Sequence, residues 1–554
     1  VGLGVLLVDL FVNLLRALWN LVLGRLSVPA YVVVEIRGSL PERRPLLPPF
    51  VRWLRRPPPS LEEIREQLDR IASHPRIRGI VLTFRDLNAG WASLEGLRRA
   101  LVRFRSRGKR ICAYLPTATL AEYYVASVSD RILAPEGAEL WLVGLRWEIP
   151  FLRAALDRLG ILPQVHHLGE YKTALHPLLH ERMPPEQREA CAAILEDVLE
   201  HVIQAISESR GLAPERAAEA IERGLLSAQE ALARNLVDAL AYEDDLPGAV
   251  EPGRRVRIEP WSRVRRRLPR PYRWRVLDRW TVGVVEVVGA LVLGESQELP
   301  FPVPGIGRRL AGHETIARAL RRAERDRRVR AVVLHVDSPG GLVVASELLA
   351  REVHRLAKRK PVVVHMGNVA ASGAYYLACG ARHLVAAATT LTGSIGVVGG
   401  KLVVEEFLER LGVRAEVVAR PGTATLLSPY VPYTDRDWAL LVGWMRRSYE
   451  RFKAHVAASR GKSVEEVEAV ARGRVWTGIR AKSLGLVDAI GDFEHAVQWA
   501  RHLARLPRGA PVRTLLPPPL PLPPSPPVQG LPAAAALLRE PVLWMVPASP
   551  GNFY

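Results

Sequence analysis

Apolar positions along this chain follow two rhythms. HETIARALRRAERDRRV, from His313, and ASELLAREVHRLAKR, from Ala345, carry apolar residues every three to four positions and predict amphipathic helices. Between such segments stand short runs of Val, Ile and Leu, as in VVLHV from Val332 and VVVHM from Val362. Continuous apolar strands separated by helices imply a mostly parallel sheet covered on both faces, so the expected class is α/β. The first 24 residues, VGLGVLLVDLFVNLLRALWNLVLG, are apolar except at Asp9, Asn13, Arg16 and Asn20. Steps of four, three and four gather these into one narrow polar stripe on a helix, opposite a broad face of Leu, Val, Phe and Trp. Such a helix suits a membrane interface, or packing within an oligomer, better than a lipid-exposed span. No small-residue cleavage site follows it, so residues 1–28 read as a retained membrane-associating segment.

The strand-helix pattern occurs twice. YVVVEIRGSL, from Tyr31, matches VGVVEVVGAL, from Val282, pairing Glu35 with Glu286 and Gly38 with Gly289 at an offset of 251. RIRGIVLTFRDL matches RVRAVVLHVDSP, and AEYYVASVSDRILA matches GAYYLACGARHLVA, with Tyr123 and Tyr124 252 residues before Tyr375 and Tyr376. NLVDAL, from Asn235, and GLVDAI, from Gly485, lie 250 apart. A near-constant offset over four landmarks predicts two tandem copies of one α/β domain, at 31–245 and 281–505. An Arg/Pro-rich linker, 246–280, joins them, and a Pro-rich tail, 506–554, with LPPPLPLPPSPP reads as an extended spacer.

At 554 residues, 48% of them hydrophobic and 24% charged, the chain has the material for more than one folded core. A net charge of +20 favours anionic partners, yet the excess is spread along the chain. Its densest part, Arg254 to Arg279, includes the acid-free run WSRVRRRLPRPYRWRV, which suits a linker near acidic lipid; no nucleic-acid-binding module accompanies it, so no nucleic-acid partner is expected. The three cysteines, Cys112, Cys191 and Cys379, match neither a disulfide framework nor a zinc site, which argues against thiol chemistry.

Candidate chemistry concentrates between Val332 and Gly400. In VVLHVDSPGG a strand ends in Pro339, Gly340 and Gly341, a turn whose backbone N–H groups could face an oxyanion, although any tight turn uses such residues. In HMGNVAASGAYYLA, Ser372 stands between a strand and an apolar helix, where free N–H groups favour developing negative charge. An ordinary N-cap serine occupies the same kind of position. TTLTGSIGVVGG follows, rich in small residues that permit close backbone packing.

DSPGG, NVAASGAYY and LTGSIGV, in this order and spacing, resemble the signal peptide peptidase A family of serine peptidases, related in fold to the Clp protease and crotonase families. The resemblance covers residues 31 to 500 and is to the long, two-copy bacterial form; it implies two tandem Clp/crotonase-like domains. A serine hydroxyl needs a base. His365 and His383 lie near Ser372 in sequence, but neither has a carboxylate spaced to complete a triad. The resemblance implies a lysine instead, supplied by the first copy in GEYKTALHPLLHERMPPEQREA, which is Lys172, 200 residues before Ser372. Without the resemblance Lys172 reads as a solvated lysine; Leu168, Tyr171, Leu175, Leu178 and Leu179 give a setting able to bury it and lower its pKa. The duplication offers a check: 252 residues after Lys172 stands Ala424, and 252 before Ser372 stands Leu120, so each copy holds one member of the pair.

The resemblance thus implies a serine endopeptidase in which Ser372 attacks, Lys172 moves the proton, and the N–H of Gly373 with that of Gly340 or Gly341 binds the oxyanion. It further implies peptide substrates such as signal-peptide remnants, a membrane surface, a homo-oligomer with a tetramer favoured, and the bacterial inner membrane with the catalytic part periplasmic. No cofactor is expected. His166, His167, His176 and His180 crowd Lys172 in sequence without a known ligand motif, so no metal is assigned. Alternatives are a crotonase-like acyl-CoA enzyme, a non-catalytic membrane scaffold, and a peptidase using another base, such as Lys401.

Overall fold

The computed structural model describes residues 2–24, 26–44, 58–269, 272, 280–303 and 307–515. The tail from 516 onward and most of 270–279 in the linker lie outside the described residues. The chain forms two compact units: residues up to Arg146 with Val198–Thr281, and Trp147–Asp197 with the residues from Val282 on.

In the first unit a parallel sheet runs in the order Ile258–Pro260, Tyr31–Gly38, Gly79–Leu87, Arg110–Tyr114, Arg131–Ala134, Ala239–Leu240. The second unit repeats this order with Val512–Thr514, Thr281–Val288, Val329–Ser338, Val362–Ala371, His383–Ala386 and Ala489–Ile490. The expected duplicated α/β fold is present, strand for strand. The apolar runs have the cause inferred from their lack of alternation. Val332, Leu334 and Val336 pack into one core with the helices His313–Arg325 and Val343–Ala357, while Ala331 and Val333 pack into another with Phe493, Ala496 and Val497 of the helix Phe493–Leu503. Side chains alternate across a strand, so a strand covered on both faces is apolar throughout.

The copies differ along one interior strand, the fourth in each sheet order, and this difference shapes the site. In the second unit Val362–Ala371 is a single ten-residue strand. In the first, Pro116, which has no N–H for the ladder, separates Arg110–Tyr114 from the short strand Thr117–Thr119. The helix that follows there, Leu120–Ala126, starts with a capping box: Thr119 accepts from the Glu122 N–H and Glu122 reaches back to the Thr119 N–H. At the corresponding positions, 252 residues on, the second unit has Ala371 and Ala374, which cannot cap. Its helix, Gly373–Ala378, follows Ser372 with no side-chain cap.

The N-terminal stretch forms the helix Gly2–Gly24. Its stripe residues Asp9 and Asn13 are buried, whereas Leu7, Phe11, Leu14, Leu18 and Leu21 are exposed. Among the described residues no helix is long and apolar enough to cross a membrane.

Candidate active site

Ser372 ends the strand Val362–Ala371 with φ 60° and ψ −121°, in the left-handed half of backbone space that non-glycine residues rarely enter. The strain is held by hydrogen bonds on both sides: its N–H donates to the Gly393 carbonyl at 2.8 Å, and its carbonyl accepts from the Tyr376 N–H at 2.8 Å. The turn aims the hydroxyl at Lys172, whose Nζ lies 2.7 Å from Ser372 Oγ. Lys172 follows the strand Leu162–Leu168, which pairs antiparallel with Val397–Val403, so a two-stranded ribbon in the second unit delivers the lysine. The amine also lies 2.8 Å from Ser394 Oγ and 2.9 Å from the Ser394 carbonyl.

Lys172 is 1% exposed and Ser372 has no exposed surface. Burial pulls the lysine down to about 7, because a dry site penalises the ammonium and no carboxylate compensates. A large share of its population is therefore an uncharged amine near neutral pH, able to take a hydroxyl proton.

Geometry separates the candidate oxyanion donors. The Gly340 N–H already donates to Ser338 Oγ at 3.2 Å, and the Gly340 carbonyl accepts from the Leu291 N–H at 2.7 Å. The Gly341 and Gly373 N–H groups have no hydrogen-bond partner among the described residues. They are neighbours: a Cβ on Gly373 would stand 3.4 Å from Gly341 N and 2.3 Å from Ser346 Oγ. One on Gly341 would fall 2.2 Å from the Leu291 carbonyl oxygen, so only glycine permits this approach. Of the three glycines, Gly341 and Gly373 present free donors beside Ser372.

The other side chains singled out in the sequence lie elsewhere. Lys401 Nζ sits 4.1 Å from the centre of the Tyr433 ring and 3.3 Å from the carbonyls of Thr425 and Leu426. His365 pairs with His335 across neighbouring strands, Nδ1 to Nδ1 at 2.9 Å, against Phe493. His383 stacks on Trp499 and lies 3.8 Å from Asp488. Near Lys172, His176 is buried and packs edge-on between His167 and His180, with ring centres 5.0 and 4.9 Å away. Burial and its histidine neighbours pull His176 down to about 4, which keeps it neutral at ordinary pH. Among the described residues no group of His, Cys, Asp or Glu is arranged to hold a metal ion. Sequence reasoning missed Ser394, whose only signal was its place in the small-residue run, and Ser338, which accepts from the Gly340 N–H.

The family model described as "Peptidase family S49" matches this chain twice, over residues 103–257 and 354–507. The chain belongs to peptidase family S49. The two matches start at 103 and 354, 251 residues apart and in step with the internal repeat. This S49 peptidase is 29% identical over 504 residues to "Serine protease SPPA, chloroplastic" of Arabidopsis thaliana, covering 90% of this chain and 73% of the relative. To "Protease 4" of Salmonella typhi it is 33% identical over 472 residues, covering 81% and 72%. To "Protease 4" of Haemophilus influenzae it is 31% identical over 449 residues, covering 77% and 70%. The S49 chain is thus a serine-type peptidase of the long, two-copy form.

Proposed function

We propose that this peptidase cleaves peptide bonds with Ser372 as nucleophile and Lys172 as general base, acting on signal-peptide remnants and other peptides at a membrane surface. The observation that carries this reading is the buried amine–hydroxyl contact of 2.7 Å, with no carboxylate beside the amine among the described residues. Neutral Lys172 takes the Oγ proton as Oγ bonds to the scissile carbonyl carbon. The carbonyl oxygen becomes an oxyanion and receives the N–H groups of Gly341 and Gly373. The Lys172 ammonium then gives its proton to the leaving amine, and the C–N bond breaks. In the second half a water loses its proton to Lys172, attacks the acyl ester, and releases Ser372 with the proton returned to Oγ. Ser394 accepts from the amine in both halves, which keeps Nζ on line. Beside Gly373 lies a small cavity of about 20 Å³, room for one water, lined by Val343, Ser346, Tyr376, Val397 and Phe452.

A crotonase-like acyl-CoA enzyme would use the paired backbone donors but has no need of this amine–hydroxyl contact. A fluorogenic peptide and an acyl thioester assayed side by side, with a fluorophosphonate probe, test the reading. Peptide hydrolysis and labelling, both lost in Ser372→Ala, are expected; turnover of the thioester alone, or labelling that survives Ser372→Ala, would overturn it.

The exposed apolar face of the helix Gly2–Gly24 supports a seat on the membrane surface, which in the bacterial setting is the inner membrane with the catalytic part periplasmic. Exposed Leu411, Val413, Val418 and Leu427 in the second unit support a homo-oligomer, with a tetramer favoured; sedimentation analysis reads its mass.

A further inference from the structure

Three backbone segments of the second unit meet behind Lys172 with no room for side chains between them. The turn Arg472–Gly473–Arg474 lies against the loop from Gly169 to Lys172 and against the start of the strand that follows Ser394. A Cβ on Gly473 would stand 2.5 Å from Lys172 Cβ and N, and one on Gly169 would stand 2.3 Å from the Arg472 carbonyl carbon. One on Gly396 would fall 2.9 Å from Gly473 Cα and from the Leu168 carbonyl oxygen. Hydrogen bonds tie the same three segments. The Tyr171 N–H donates to the Arg472 carbonyl at 2.9 Å, the Gly473 N–H to the Ile395 carbonyl at 2.8 Å, and the Ser394 N–H to the Arg474 carbonyl at 2.7 Å. Arg472 and Gly473 both have positive φ, 48° and 78°, and the Tyr449 hydroxyl accepts from the Arg472 N–H at 3.2 Å. Two side chains brace the turn from outside: Arg472 pairs with Glu170 at 3.2 Å, while Arg474 lies over the Tyr171 ring and pairs with Glu189 at 2.6 Å.

We infer that Gly473 is a positioning residue for the peptidase reaction: the turn it centres clamps the Lys172 backbone to the segment bearing Ser394, and only a residue without Cβ lets the clamp close. The turn reaches the amine by two routes, directly at the Lys172 backbone and through Ser394, whose N–H it holds. A base on a four-carbon stem is aimed only as well as its Cα is held, and misplacement of reacting groups by about 1 Å costs on the order of 100-fold in rate. Packing here also excludes water, and exclusion of water keeps the amine unprotonated.

This inference rests on Lys172 acting as the base. Its test compares Gly473→Ala with Gly461→Ala in the full chain. Gly461 also has positive φ, 63°, where it closes the helix Asp435–Arg460, but open space surrounds its Cβ position. Both variants strain a left-handed position, and only the first displaces Lys172. We expect Gly473→Ala to lower kcat about 10- to 100-fold with KM little changed. The acid limb of its kcat/KM profile should move to higher pH, as an amine let back towards water regains its proton. Gly461→Ala should keep the wild-type limb. A Gly473→Ala enzyme whose kcat and limb match those of Gly461→Ala overturns the clamp. Should Gly473→Ala fail to fold, Arg474→Ala carries the test, since it loosens the brace on Tyr171 without backbone strain; a smaller upward move of the limb, partly restored in Arg474→Lys, is expected, and an unmoved limb overturns the inference. Lys172→Met separates the two ideas. Wild-type hydrolysis in that variant would remove the base itself, whereas an inactive Lys172→Met beside an unmoved limb in Gly473→Ala would remove only the clamp.

Discussion

Replacing Lys172 by Met should stop catalysis and, at acidic pH, stabilise the fold. The side chains are of similar length, so the main change is removal of a buried titratable amine. Its pKa falls from 10.5 to about 7 on folding. At about 1.4 kcal/mol for each pH unit, the folded chain carries a penalty of about 5 kcal/mol when this lysine is protonated. The folded state binds fewer protons than the unfolded one between about pH 7 and pH 10.5, so wild-type stability rises with pH across that window and the full penalty applies below it. Met loses the penalty and also three hydrogen bonds, to Ser372 Oγ, Ser394 Oγ and the Ser394 carbonyl, at about 1 kcal/mol each. Lys172→Met should therefore be the more stable protein by about 2 kcal/mol at pH 6 and the less stable by about 3 kcal/mol above pH 10.5. Urea denaturation of both proteins across this range reads the crossing. The same variant should lose about 10²- to 10⁴-fold in kcat/KM on a fluorogenic peptide, and the wild-type profile should show its acid limb near pH 7. A stability difference that does not change sign with pH, or a Lys172→Met enzyme that hydrolyses peptide normally, would refute the reasoning.

Lys401→Ala should retain peptide hydrolysis within about twofold while losing about 1 kcal/mol of stability, because its amine rests on the Tyr433 ring and not on Ser372; inactivity would shift the role of base to Lys401. Gly341→Ala should lower kcat about 10²- to 10³-fold with a small change in KM, since a Cβ there meets the Leu291 carbonyl and turns the N–H away; a normal kcat would mean that the oxyanion is bound elsewhere. Changing Phe11 and Leu14 together to Asp should weaken co-sedimentation with phospholipid vesicles at least tenfold, on the order of the loss expected from an apolar face that enters the interface; unaltered binding would count against the proposed seat.

Much of the framework was legible because it depends on local pattern and repetition. Strands such as Val329–Ser338 and Val362–Ala371 are apolar on both faces, and the offset near 251 exposes the duplication without any structure. Ser372 was legible as a junction residue, but its φ of 60° was not, since nothing in AASGAYY separates a strained turn from an ordinary cap. The contrast became readable only beside the first copy, where Thr119 and Glu122 close the corresponding helix end and Ala371 and Ala374 leave theirs open.

The sequence by itself determined the class of fold, its duplication and the motifs by which the family is known, because apolar periodicity and glycine placement act over a few residues and survive in the linear text. Only the tertiary structure decided that Lys172 loses its water, that its amine meets a hydroxyl 200 positions away, that Ser338 occupies the Gly340 N–H, and that Gly473 abuts the lysine backbone. Desolvation and contact are sums over everything that surrounds a group in space, and segments distant in sequence supply most of those surroundings here.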